Sequence, residues 1–194
     1  MPRGKSIEAM LRPLKDAPLQ AFLGEGLHTL GLLGWILAQT GKASVWVSSY
    51  STSEPFLNGF AILRRKGLVD GSLLLLDMRA ARKTIRLESL MEGAFGHVFL
   101  GQNHSKVVLV GNAEWHVSVV TSQNQTYGDR AESTVITTDK GVFDTLIGQF
   151  ENLCGRNAVE IDLHNGQGII GSGGEAGTVA ADTGADIRPF GIEW

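Results

Sequence analysis

The stretch "VWVSSYSTSEPFLNGFAILRRKGLVDGSLLLLD", residues 45–77, changes hydrophobic period twice. Its start belongs to the β-branched and aromatic run 43–50, which predicts a strand. Ser53 is a good helix N-cap, Pro55 suits the first turn, and Phe56, Leu57, Phe60 and Leu63 recur at helical spacing before Gly67. Residues 72–77 form a continuous apolar run ending in Asp77, as expected of a strand buried on both faces. Strand, helix and strand in this order form one unit of a layered α/β fold.

Working outward, residues 5–15 and roughly 17–40 read as helical. Ile7, Met10, Leu11 and Leu14 share one helical face, and a buried helix with Trp35 is expected over about Leu27–Gln39, capped by Gly41. Downstream, residues 78–91 read as a basic amphipathic helix and 97–100 as a strand, which completes an alternation expected of a largely parallel sheet covered by helices. Residues 105–111 and 116–123, joined by "NAEW", predict a β-hairpin that makes the sheet mixed; a strand over 133–138 and a helix over 141–155 follow. The expected organisation is an N-terminal helical extension over 1–24, an α/β domain over 25–155, and a Gly-rich C-terminal extension over 156–194.

At 194 residues and 43% apolar composition, the chain can bury one sizeable core. Cys154 is its single cysteine, so an internal disulfide is excluded and a reducing compartment is expected. The charged start "MPRGKSIEAMLRPLK" lacks the apolar core of a signal peptide, and no apolar run reaches the roughly 18 residues of a membrane span. A cytoplasmic protein without membrane contact is the expectation. Net charge is −3, but it divides into +5 over residues 1–110 and −8 over 111–194, a pattern compatible with a basic working surface backed by an acidic tail.

The chemistry-bearing residues gather around the hairpin, in "QNHSKVVLVGNAEWHVSVVTSQNQT" (102–126). Alternation along a strand points His104 and Lys106 the same way, and likewise Ser122 and Asn124. With the turn at 112–115, residues 104–106 oppose 121–124, so four polar side chains converge at one end of a sheet. An imidazole, an ammonium, a hydroxyl and an amide suit a phosphodiester: a nucleophile or base, a charge clamp and two neutral hydrogen-bonding groups.

These residues resemble the motif of the phospholipase D superfamily, His-x-Lys followed by an aspartate and then Gly/Ser-Ser-x-Asn. His104-Ser105-Lys106 matches the first part and Thr121-Ser122-Gln123-Asn124 the second. Glu132 is similar in place to an acidic residue that orients the family's histidine, and the strand–helix–strand unit resembles its opening. The likeness covers roughly 25–150. Gly111 stands where the aspartate is expected, and the interval from Lys106 to Asn124 is longer than in phospholipases proper. Both features resemble the tyrosyl-DNA phosphodiesterase branch.

The resemblance implies an α-β-α sandwich with one motif per chain, acting as a metal-independent phosphodiesterase, first of all a nuclease. His104 would form a phosphohistidine; Lys106, Asn124 and Ser122 would hold the non-bridging oxygens; Glu132 would fix the imidazole tautomer. A second His104 would come from a homodimer partner. No cofactor is implied. Two other readings stay open: a catalytically impaired DNA- or protein-binding module, and a phospholipase.

Arg64, Arg65, Lys66, Arg82 and Lys83, with Arg79 and Arg86, could line a nucleic-acid groove, though charged outer helix faces explain them equally well. His28, His97, His116 and His164 lack a matching context and read as structural. "GQGIIG" (166–171) satisfies a dinucleotide-binding pattern literally, yet "SGGEAG" beyond it is no helix start. The sequon at Asn124 reads as silent, and Cys154 as a packing residue.

Overall fold

The structure, a computed structural model, describes residues 7–80, 86–125 and 130–161. Eight strands among them form one mixed sheet in the order β1-β7-β6-β5-β2-β3-β4-β8. They are β1 Leu19–Gly24, β2 Ala43–Ser49, β3 Val69–Asp77, β4 His97–Gly101, β5 Val107–Gly111, β6 His116–Thr121, β7 Glu132–Thr137 and β8 Ala158–Glu160. The helices are α1 Thr29–Thr40, α2 Glu54–Arg65, α3 Glu88–Ala94 and α4 Lys140–Asn157. Only the pairs β2–β3 and β3–β4 are parallel, so the sheet is less parallel than the alternation of elements suggests.

Local signals place the central unit. Ser53 caps α2 by accepting a bond from the Phe56 N–H, Pro55 lies in its first turn, and Gly67 takes φ +73°, a left-handed conformation that suits glycine. Phe56, Leu57 and Phe60 turn inward, and Phe56 and Phe60 stack with Phe95 beyond α3, with the Phe60 and Phe95 rings 4.1 Å apart. The hairpin forms as expected: Gly111 pairs with His116, and Asn112 closes the turn by accepting from the Glu114 and Trp115 N–H groups.

Three expectations are corrected. Residues 19–24, read as helix, form the strand β1, which pairs antiparallel along its whole length with β7. Over 5–15 the described part holds a single 3-10 turn, Ile7–Ala9; Leu11 and Leu14 are buried all the same. The helix expected over 78–91 is a 3-10 turn at Met78–Ala80 and then α3, with residues 81–85 outside the described set. The Gly-rich stretch from 162 onward, including "GQGIIG" and His164, also lies outside it.

Two cores flank the sheet. The larger packs α1, α2 and α3 on one face, around Ile36, Leu37, Leu57, Phe60, Leu74 and Met91. The smaller packs α4 on the other, through Phe143, Phe150 and Cys154 against Trp46, Leu75 and Leu109. Burial, then Glu160 and Glu151, push the Cys154 thiol up to about 12. The folded chain therefore binds the proton more tightly than the unfolded one, so this group's contribution to stability is full below pH 9.0 and is lost as pH rises toward 12. At pH 8 the native thiol should resist a disulfide-exchange reagent until denaturant is added; rapid labelling of native protein would contradict this placement.

No helix among the described residues is long and apolar enough to cross a membrane.

Candidate active site

The carboxyl ends of β2, β3 and β4 meet beside the start of β5, where the sheet changes from parallel to antiparallel pairing. Chain reversals at such a point open a crevice, the usual place for a ligand in α/β sheets. The loop after β4 crosses this edge without strand hydrogen bonds and needs other anchors. Buried Asn103 supplies them. Its Nδ2 donates to Ser48 Oγ at 2.9 Å, the Ser49 carbonyl at 3.1 Å and the Leu75 carbonyl at 3.3 Å. Its Oδ1 accepts from the Ser105 N–H at 3.0 Å and from Ser105 Oγ at 2.6 Å, and its own N–H donates to Asp77 Oδ2 at 2.9 Å. With its partners satisfied, such a buried network holds the backbone in one arrangement.

His104 thus stands between two residues locked from below, with its own side chain exposed. The Tyr50 ring lies 5.4 Å from the imidazole, tilted by 56°. Lys106 Nζ donates to the His104 carbonyl at 2.8 Å and lies 3.3 Å from His104 Nδ1. Across the hairpin the Thr121 N–H donates to the Lys106 carbonyl, as the strand register requires. Ser122 pairs with Ser133 of β7 on both sides: its N–H donates to the Ser133 carbonyl, and its Oγ accepts from the Ser133 N–H.

Glu132 departs from the expected pairing. Its Oε2 accepts the Ser122 hydroxyl proton, rather than a proton from His104. A hydroxyl has one proton to donate, so Ser122 in this geometry cannot also donate to a phosphate oxygen. Asn124 is half-buried, and its buried Oδ1 has no hydrogen-bond partner among the described residues. Gln123 pins the loop to α1, its Oε1 accepting from the Thr29 N–H at 2.9 Å and from Thr29 Oγ1 at 3.1 Å. Gln125 ties the same loop to α2, its carbonyl accepting from Ser53 Oγ at 2.7 Å.

No protein-family model and no curated protein sequence matches the chain. Its fold is similar to that of Nuc, a phospholipase D family member from Salmonella typhimurium, with a TM-score of 0.55 and 16% identity over 72% of this chain and 96% of Nuc. The chain has the phospholipase D fold. NucT from Helicobacter pylori is similar over 72% of this chain and 98% of its own, at a TM-score of 0.53 and 13% identity. The phosphatidylserine synthase of Haemophilus influenzae Rd KW20 matches 74% of this chain at a TM-score of 0.53 and 13% identity, but only 40% of its own length.

Within this phospholipase D fold, Gly111 has a packing reason. A Cβ there would lie 2.6 Å from Cζ of Phe143, whose ring is buried beneath α4. Phe143 in turn meets Trp46 and His116 edge to face. Gly111 lies at the far end of β5 from Lys106, so the motif's aspartate is excluded by the core rather than by the site.

Arg64, Arg65 and Lys66 are exposed at the C-terminal end of α2, whereas Ser53 at its N-terminal end meets the site loop. A helix of 12 residues separates the ends by roughly 18 Å, so these cations are not part of the cluster; they complement the negative end of the helix dipole. Arg79 and Arg86 lie within the described residues, while Arg82 and Lys83 lie outside them. Sequence reading missed Asn103, Gln123 and the pair Ser48 and Ser49. One signal was present: four hydroxyl residues, Ser48, Ser49, Ser51 and Thr52, crowd the end of an otherwise apolar strand.

Proposed function

We propose that this chain is a metal-independent phosphodiesterase, a nuclease, with His104 as the nucleophile. The observation that carries the reading is an exposed imidazole held between the anchored residues Asn103 and Ser105, with the Lys106 ammonium 3.3 Å from its Nδ1. One imidazole nitrogen attacks phosphorus and a P–N bond forms. The bond to the leaving oxygen breaks, and that oxygen takes a proton from a second histidine. Water then attacks the same phosphorus, that histidine takes the water's proton back, and the P–N bond breaks. Attack through Nε2 requires the proton on Nδ1, so Lys106 leaves Nδ1 for the phosphate oxygens as substrate enters. Asn124 offers its amide to the same oxygens, and Glu132 acts through Ser122, which it positions.

The second histidine is assigned to His104 of a homodimer partner. Supporting this, Leu19, Ala21 and Leu23 of β1 share an exposed sheet face with Val135 of β7 and Val120 of β6, in register across three strands. Leu23 is 80% exposed, and the patch ends beside Ser122 and Glu132. Contiguous apolar surface of this kind marks interaction sites. The double variant Leu23→Glu/Val135→Glu should run as a folded monomer in sedimentation and lose most activity. A wild-type chain that is monomeric and fully active would remove the shared site.

The test of the main reading is incubation with plasmid and with a simple aryl phosphodiester in EDTA, with acid-labile label trapped on His104. Cleavage without labelling would reject the covalent step. The commitment of the Ser122 hydroxyl to Glu132 favours one other reading, a catalytically impaired module that binds DNA or a protein. Binding of DNA without cleavage under any of these conditions would select it.

A further inference from the structure

Asp77 ends β3 at the crevice beside His104 and is only 7% exposed. A carboxylate is costly to bury unless its oxygens are hydrogen-bonded. Here both oxygens have partners. Oδ1 accepts from the Arg79 N–H at 2.8 Å, and Oδ2 accepts from the Asn103 N–H at 2.9 Å. The Asp77 N–H also donates to the carbonyl of Tyr50 at 3.3 Å, whose ring lies against His104. An asparagine could not take this place, since it would turn an NH2 group toward one of the two N–H donors.

One carboxylate therefore fixes the turn Met78–Ala80 against the loop that carries His104. It holds the backbone nitrogens of Arg79 and Asn103 within about 8 Å of each other. In the sheet β3 and β5 flank β2, so Arg79 and Lys106 extend from strands on either side of it at the same edge. Arg79 is exposed, and among the described residues no carboxylate lies within ion-pair distance of it. It stands in a 3-10 turn rather than on the outer face of a helix, so a solvated helix face does not account for it. A guanidinium grips phosphate with two parallel N–H bonds. An isolated phosphodiester held at His104 leaves that group idle, whereas a strand carries a second phosphate one nucleotide along.

We infer that Arg79 binds the phosphate next to the one held at His104 and Lys106, so that the site takes a polynucleotide strand rather than an isolated phosphodiester. The inference deepens the nuclease reading and rests on it for the position of the attacked phosphate. Asp77 keeps the guanidinium at one nucleotide's remove from the imidazole.

The experiment uses the full-length His104→Ala chain, which binds without turnover, and two competitors of a dye-labelled strand read by anisotropy. One is a thymidine trinucleotide with both phosphates charged; in the other a neutral methylphosphonate replaces one of them. The charged trinucleotide should bind about 10-fold tighter. Arg79→Ala should remove that preference and make the dependence of log affinity on log salt shallower by about 0.7, the share of one phosphate on a single strand. Arg79→Lys should keep the slope and part of the preference, because an ammonium retains the charge but lacks the fork. Arg64→Ala, at the far end of α2, should keep both. A preference that survives Arg79→Ala, an equal loss in Arg64→Ala, or no binding of either trinucleotide would overturn the inference. The two readings also fail separately. Cleavage of an aryl phosphodiester by a chain whose preference ignores Arg79 keeps the enzyme and rejects the contact. A preference that depends on Arg79, in a chain that cleaves nothing, keeps the contact and rejects the nuclease.

Discussion

A Gly111→Asp chain melts well below wild type and gains no activity, although the substitution restores the one motif residue that is missing. The reason lies in the core. The first atom of any side chain at 111 meets Phe143 Cζ at 2.6 Å, and Phe143 is only 2% exposed, wedged edge-on to Trp46 and His116. Overpacking of this kind costs about 1–3 kcal/mol, and an aspartate adds the cost of desolvating a carboxylate. A total of about 3 kcal/mol corresponds to a fall of roughly 10 °C for a domain of this size. Position 111 is five residues along an extended strand from Lys106, roughly 17 Å, so no repositioned aspartate reaches the phosphate. Adding Phe143→Ala should return part of the lost stability to the aspartate variant, since it relieves the same clash. Scanning calorimetry of the three proteins decides the matter. An aspartate variant as stable as wild type would show that the ring moves aside freely.

His104→Ala should show the opposite profile, with cleavage of a phosphodiester falling by about 1000-fold or more and the melting temperature hardly changing. The loss follows from the role: without the imidazole no phosphohistidine forms, and about 4 kcal/mol or more of barrier lowering goes with it. Stability is spared because the ring is exposed, and the bonds that hold this loop belong to Asn103 and Ser105 instead. Steady-state rates at saturating substrate, with the variant and wild type at matched folded fraction, give the comparison. Retention of a tenth of the wild-type rate would assign His104 to binding and leave the nucleophile elsewhere.

Much of the site's framework is legible in the residues alone because it is local. Ser53 and Pro55 announce the start of α2, and "NAEW" sets a hairpin whose pleat forces Lys106 opposite Thr121. His104 and Lys106 are two apart, so they meet whatever the remainder of the chain does. Glu132 was harder. It opens β7, and the choice between Ser122 and His104 as its partner depends on how β6 and β7 are staggered.

By itself, then, the sequence determined the strand–helix–strand unit, the hairpin and the meeting of His104 with Lys106, since each depends on periodicity or spacing within a few residues. Only the tertiary structure decided that residues 19–24 are a strand: "LQAFLG" carries no clear period, and its extended form is stabilised by pairing with β7 more than a hundred residues away. It likewise decided that Asn103 anchors the loop after β4, that Gln123 joins the loop after β6 to α1, and that Gly111 is glycine because Phe143 lies over it. These are contacts between segments distant in the chain, and no local pattern encodes them.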